Sequence, residues 1–304
     1  MNNNYKMQQR TEQNDFAGVV YGLIGSCIWG SCIAVSSQGI EDGFSAEDLA
    51  FLRYLTSGLL LLPLLVLSNM FQKVGWQRSV VLTLLAGPLF AILAVHGFIY
   101  APLIHGTVIQ ALALIFSCLL IVFWRGKEKP KFSYLAGLLV LFIGLAAVSG
   151  PLLPSQAEFS ELWKGDLLFV AAGLMWGLFM ALIWYWRVDA LAATVVVAVL
   201  SALIYCPLYL LLHGPLYISM LDFDQVIEQV LFQGILSGVL ALFAFGKAVQ
   251  YLGVGKAVLF PALSPAVTML LGILLFHQIP VLSQWLGFTI ITAGLFLGFY
   301  RESN

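Results

Sequence analysis

From residue 17 to residue 300 the chain is a succession of apolar stretches, each near 20 residues, joined by short polar connections. About 20 apolar residues in a helix cross the hydrocarbon core of a bilayer. Read by that length, there are ten segments, at roughly 17–38, 47–68, 79–100, 104–124, 132–150, 166–186, 190–212, 228–249, 255–276 and 283–300. Only 10% of the residues are charged, against about 25% in a soluble domain. So few charges do not coat a water-facing surface of this size, and the outer surface is expected to face lipid. The net charge of -1 gives no basic footprint for nucleic acid.

Charge placement tests the segment count. Loops on the cytoplasmic side are enriched in Lys and Arg. With the N-terminus inside, that side receives Lys6, Arg10, Lys73, Arg78, Arg125, Lys127, Lys129, Lys131, Arg187, Lys247, Lys256 and Arg301, and the outer side only Lys164. A wrong count would invert every later loop and destroy this asymmetry. Ten spans with both termini cytoplasmic, in the cell inner (plasma) membrane, is therefore the expected layout. Residues 1–16 are polar and lack the apolar core of a signal peptide, so the first segment is expected to be an uncleaved anchor.

The halves echo each other. GVVYGLIGSCIWGSCIA from Gly18 aligns at an offset of 147 with GDLLFVAAGLMWGLFMA from Gly165, matching Trp29-Gly30 to Trp176-Gly177 and Ala34 to Ala181. Each carries small residues four apart (Ser26, Gly30, Ala34; Gly173, Gly177, Ala181), which let helix backbones approach in lipid. Near the ends, Glu128, Pro130, Gly137 and Gly144 align at an offset of 150 with Gln278, Pro280, Gly287 and Gly294. Five spans per half is an odd number, so the second half must enter the membrane upside down. Inverted repeats holding a substrate at their seam are a recurrent plan of secondary transporters. The predicted fold is an all-α integral membrane protein of ten transmembrane helices in two inverted five-helix repeats. A tail over 1–16 precedes repeat 1 (17–150), an outer linker (151–165), repeat 2 (166–300) and a tail over 301–304.

Several polar residues sit in these apolar spans. Arg53 lies about two turns inside span two; a charge there must face protein or water. Gln110, His96 and Gln233 fall in the same outer slab of spans four, three and eight. A cation flanked by amides and an imidazole suits a carboxylate-bearing solute. The competing reading pairs Arg53 with an outer acid such as Asp48 or Glu228, which would pin helices together. Trp29 and Trp176 are expected at opposite depths, as belt residues or as an aromatic wall beside a cavity. In span nine, Pro261 and Pro265 bracket a kink that frees backbone carbonyls, with Phe260 and Ser264 offered to a solute. Lys247, Gln250 and Lys256 cluster at the inner ends of spans eight and nine; topology alone explains them, and the alternative reading is that they attract an anionic solute from the cytoplasm.

What is missing also constrains function. No Asp or Glu sits at mid-depth, where ion-coupled carriers usually hold one; His96 and His105 offer an alternative coupling group but lie near the outer surface, so facilitated diffusion and exchange stay open. GVGKA at 253–257 has Gln250 where a phosphate loop needs Gly, and Ala257 where it needs Ser or Thr. Cys27, Cys32, Cys118 and Cys206 show no paired or metal-ligating spacing and read as packing residues. No catalytic residues, metal or cofactor are expected.

The stretch WGSCIAVSSQGIEDGFSAEDLAFLRYLTSG resembles the opening of an EamA-type repeat of the drug/metabolite transporter superfamily. The likeness rests on Trp29-Gly30, an acidic outer loop and Leu52-Arg53-Tyr54, then Glu128 with Gly137 and Gly144 at the repeat's close. It spans about residues 17–300. The resemblance implies that helices one to four and six to nine surround a central cavity, that helices five and ten lie at the periphery, and that metabolites, amino acids or drugs move by alternating access. The second half departs from the pattern: Leu200 stands where Arg53 would recur, and Gln278 replaces the acid. The function expected is a secondary transporter, in the export direction, of small metabolites such as amino acids. Its partners would be a small-molecule substrate and the lipid bilayer, with a homodimer admitted and no nucleic acid. Two alternatives stand beside it: a membrane-embedded enzyme on lipid-linked substrates, and a non-transporting scaffold or sensor with a packed lumen.

Overall fold

Backbone amides have no water to bond in hydrocarbon, so an apolar segment satisfies them internally as a helix. The computed structural model of the chain describes residues 2–101, 106, 108–116, 132–149, 159–214, 222–276 and 282–299, and there is no strand among them. The helices are α1 (Asn2–Glu41), α2 (Ala46–Leu67), α3 (Met70–Val74), α4 (Trp76–Ala86), α5 (Pro88–Tyr100), α6 (Phe132–Ser149), α7 (Phe159–Trp186), α8 (Ala190–His213), α9 (Phe223–Gln229), α10 (Leu242–Leu252), α11 (Val254–Ala257), α12 (Ser264–Phe276) and α13 (Leu282–Phe299). Residues 108–116 are also helical.

Among the described residues seven helical stretches are long and apolar enough to cross a membrane: Asp15–Glu41, Ala46–Leu67, Trp76–Tyr100, Glu161–Trp186, Ala190–His213, Phe223–Leu252 and Val254–Leu271. Two shorter apolar helices, Leu135–Ala147 and Leu282–Leu297, occupy the places predicted for spans five and ten. The predicted fourth span is described only at 106 and 108–116. His105, Cys118, Glu128, Pro130, Gln278, Pro280 and the tail 301–304 lie outside the described residues.

The backbone corrects the sequence reading in four places. The first helix begins at Asn2, because no Gly or Pro interrupts residues 2–17. α7 begins at Phe159, so the end of the expected linker is helical. The third span is broken at Gly87-Pro88: Gly87 is extended (φ -91, ψ -153) and Pro88 opens α5. The carbonyl of Ala86, released by that break, accepts a hydrogen bond from the Tyr54 hydroxyl at 3.0 Å. The eighth span is π-helical over Val230–Ala241, a wider winding that recurs at functional sites and is rare at this length.

The repeat is visible in the packing. Ideal Cβ atoms built on Gly144 would lie 2.7 Å from the Ile291 amide nitrogen and 3.0 Å from the Gly287 carbonyl. Those built on Gly294 would lie 2.7 Å from the Leu141 nitrogen and 2.9 Å from the Gly137 carbonyl. Each pair maps onto the other at the offset of 150, and residue numbers run oppositely along α6 and α13. Reciprocal contact of this kind marks a two-fold relation, and antiparallel helices put its axis across them. A second reciprocal pair joins α1 to the turn before α12 and α7 to residues 108–116. Ser26 Oγ donates to the Phe260 carbonyl at 2.6 Å, and a Cβ on Gly173 would meet the Gln110 carbonyl at 2.3 Å. The small-residue stripes do what their spacing predicts.

Candidate substrate cavity

α2 starts with a capping box: Ser45 Oγ accepts from the Asp48 amide at 3.1 Å, and Asp48 Oδ2 accepts from the Ser45 amide at 2.7 Å. This fixes the helix entry and sets Arg53 two turns further in. Asp48 is fully buried, and its other oxygen accepts from the Tyr209 hydroxyl. The anticipated Arg53–Asp48 pair therefore does not form, because the carboxylate is already bonded to α8 and to its own helix start. Among the described residues Arg53 pairs with no carboxylate, Glu228 included. Its guanidinium carbon lies 5.7 Å from the Tyr54 ring centre, and its buried Nε has no hydrogen-bond partner among the described residues.

Arg53 borders an internal cavity of about 30 Å³ with Trp29, Cys32, Ser36, Phe90, Gln110, Gln233 and Ser237 among its other walls. That admits about two waters, so the cavity is narrow around its polar groups. Gln110 is 4% exposed and its Nε2 has no partner among the described residues. Gln233, in the π-helical stretch, donates to Ser36 Oγ at 2.5 Å and to Gln229 Oε1 at 3.4 Å. Gln229 Nε2 in turn donates to the Val35 carbonyl at 3.1 Å. A second void of about 10 Å³ adjoins Trp29, Gln110, Pro261 and Ser264; Ser264 Oγ is buried without a partner among the described residues.

Trp29 and Trp176 are not at opposite depths. Their ring centres lie 4.6 Å apart with planes at 65°. Phe245 sits 5.2 Å from Trp29, and Phe90 sits 5.1 Å from Trp176. An inverted repeat exchanges depths about the mid-plane, and both tryptophans lie near mid-span, so the exchange brings them together.

Other expected site residues separate from this group. His96 is not in the cavity wall; its Nδ1 lies 3.8 Å from Glu47 Oε1 at the start of α2. The Phe260 carbonyl is taken by Ser26. Its ring borders an apolar outer groove with Val19, Leu263 and Phe288. Pro261 lies in a 3-10 turn, Phe260–Leu263, and Pro265 is buried in the first turn of α12. Lys247 lies 3.8 Å from Asp189 and donates to Gln250 at 3.1 Å, and Lys256 lies 3.5 Å from Asp15. Beside them, at the ends of α7 and α10, is a pocket of about 520 Å³ bordered by Trp184, Tyr185, Arg187 and Gln250.

The cavity also recruits Cys32, which the sequence offered only as a packing residue, and three residues that the sequence reading passed over: Ser36, Phe90 and Ser237. Ser36 lies ten residues beyond Ser26 on α1, and Ser237 stands between Gly234 and Gly238, so small polar residues inside apolar spans were the available signal. The spans predicted as sixth and seventh give it no wall among the described residues; the sixth contributes only through Trp176 behind Trp29.

The sequence profile of the EamA-like transporter family matches residues 16–150 and again residues 163–300. A solved crystal structure of a protein is similar with a TM-score of 0.70, covering 93% of this chain and 96% of that one at 18% identity, a likeness of fold. Among curated proteins none matches the chain significantly.

Proposed function

The chain belongs to the EamA-like transporter family of the drug/metabolite transporter superfamily, and from that premise we propose that it is a ten-span secondary transporter exporting small metabolites, such as amino acids or related organic compounds, by alternating access. It would sit in the inner (plasma) membrane with both termini in the cytoplasm, as its Lys and Arg placement requires. The observation that carries this reading is the narrow polar cavity: Arg53, Gln110 and Gln233 line one space from three helices, with Ser36 and Ser237 beside them and apolar residues around. A scaffold has no use for an unpaired cation in its lumen, whereas a carrier holds its solute there. An enzyme would need an acid or a nucleophile-base pair at that depth, and the described residues of the cavity wall include no carboxylate.

In this reading the narrow cavity is one stage of the cycle. Trp29, Trp176, Phe90 and Phe245 fill the centre, and the broken third span, the π-helical eighth span and the 3-10 turn before α12 are where the backbone bends to open it. Discontinuous helices at mid-membrane are how carriers both bind and move. The test is export: cells overproducing the chain are compared with cells producing Arg53→Ala, and released metabolites are profiled. Release of a defined set of solutes by the native chain, lost in the variant, is expected; unchanged release from both sinks the reading.

A further inference from the structure

Resting on the transporter reading, the cavity also narrows the solute. We infer that, of the solutes named above, the site selects the related organic compounds that are monocarboxylates without an ammonium group, in place of zwitterionic amino acids, and that it disfavours amines.

The unsatisfied groups in the cavity wall are donors. Arg53 Nε and Gln110 Nε2 are both buried, border the same space and have no hydrogen-bond partner among the described residues. An acceptor-only group fits them, and a carboxylate presents two oxygens with about four lone-pair sites. Charge points the same way. Arg53 is a permanent cation inside a membrane-spanning helix, with no carboxylate at ion-pair distance among the described residues. An unpaired charge at such depth is costly, so an anion that neutralises it binds with that cost recovered.

An ammonium group finds the reverse. Asp48 is committed to Ser45 and Tyr209, and Glu47 lies against His96. Between residues 54 and 157 the sequence holds a single acid, Glu128, and from 190 to 221 it holds none. The acceptors within reach are neutral amides and hydroxyls. In a zwitterion the ammonium is one carbon away from the carboxylate, so seating the carboxylate on Arg53 forces two cations together without a counter-charge. The same cavity is also lined by Trp29, Ile33, Phe90, Ala94 and Val95, apolar surface that suits a hydrocarbon tail.

The test uses three probes of equal chain length: butyrate, 2-aminobutyrate and n-butylamine. Each is titrated into the purified full-length chain in lipid nanodiscs, with melting temperature and calorimetric affinity as readouts, and each is offered as radiolabelled solute to proteoliposomes. Butyrate is expected to raise the melting temperature and to bind about ten- to a hundred-fold more tightly than the other two, the range for a charge-assisted hydrogen bond gained or lost. Gln110→Met, which leaves the cation in place, is expected to weaken butyrate, and Arg53→Lys to retain part of the binding that Arg53→Met loses. Equal or tighter binding of 2-aminobutyrate or n-butylamine overturns the inference and leaves the transporter reading standing. Binding of none of the three by a chain that exports other solutes also overturns it. A chain that exports nothing fails at the transporter reading itself.

Discussion

Trp29 and Trp176, equivalent residues of the two repeats, meet edge to face with ring centres 4.6 Å apart. An aromatic pair of this geometry contributes about 0.5–1.5 kcal/mol beyond its area. Trp29 lines the narrow cavity, so loosening the pair should do more than destabilise. Trp176, 2% exposed, should cost about 3–5 kcal/mol when cut to Ala. Trp29→Ala, at the cavity wall, should cost less and should raise passive solute leak in proteoliposomes. A double-mutant cycle on melting free energy should return a coupling of about 0.5–1.5 kcal/mol. Additive losses would show that the rings merely coexist.

The antiparallel contact of α6 and α13 has no slack. A Cβ on Gly144 would sit 2.7 Å from a backbone nitrogen, and so would one on Gly294. Backbone does not swing aside as a side chain does. Either glycine changed to Ala should therefore cost about 1–3 kcal/mol, the usual penalty of overpacking, and the two losses should resemble each other because the contacts are reciprocal. Thermal melting in detergent checks this. A loss in one variant only would break the symmetry claim.

Much of this was legible in the chain. Segment lengths, the sidedness of Lys and Arg, and the two offset matches gave the helical architecture and its inversion, because hydropathy and charge sidedness are direct consequences of the bilayer. Arg53, Gln110, Gln233 and Trp29 were singled out as polar or aromatic residues out of place, and one cavity gathers them. Backbone irregularity was not legible. The π-helical run over Val230–Ala241 is as apolar as its neighbours, and hydropathy does not sense winding. The Gly87-Pro88 break was written in plain breaker residues, but a 20-residue window averages over it. The partner of Asp48 was missed because Tyr209 lies 161 residues away, and only tertiary packing brings it near.

That pairing has its own consequence. Asp48 is wholly buried and depends on the Tyr209 hydroxyl and the Ser45 amide. Tyr209→Phe keeps the ring stacked on Phe51, at 4.2 Å between centres, and removes only the donor. Leaving a buried carboxylate short of one hydrogen bond should cost about 1–3 kcal/mol. Asp48→Asn in the same background should recover part of that loss, since the amide carries no charge. Equilibrium melting of the two variants and the double variant decides it.

Arg187 ends α7 in the left-handed region, at φ 54. The Val188 amide bonds the Ile183 carbonyl at 3.0 Å, and the Arg187 amide bonds that of Trp184 at 3.2 Å. This is a Schellman ending, where Gly is the usual residue. A side chain there costs about 1–2 kcal/mol, partly offset by the entropy Gly loses on folding. Arg187→Gly should therefore raise stability by up to about 1 kcal/mol, read as a higher melting temperature. Because Arg187 also borders the 520 Å³ pocket, a variant that is more stable yet transports more slowly would mean the strained residue serves the solute path.

Asp189, which caps α8, ties the acid stability of the bundle to one loop. Burial raises its pKa, but the Ala192 amide, the Gln250 side chain and the Lys247 charge together outweigh burial, and its pKa lies below the ordinary value. A carboxyl depressed in the folded state adds stability that is fully present above its unfolded pKa and is lost as pH falls through the folded one. The melting temperature of the native chain should therefore drop as acidification passes below the ordinary Asp value of about 3.9, through the lower value of the folded state. Asp189→Asn should remove that part of the drop while still capping the helix, because Asn also accepts from the Ala192 amide. Lys247→Met should shrink it, and more so at low salt, since the Lys247–Asp189 pair is partly exposed and screened by ions. An acid profile identical in all three proteins would show that other carboxylates govern the transition.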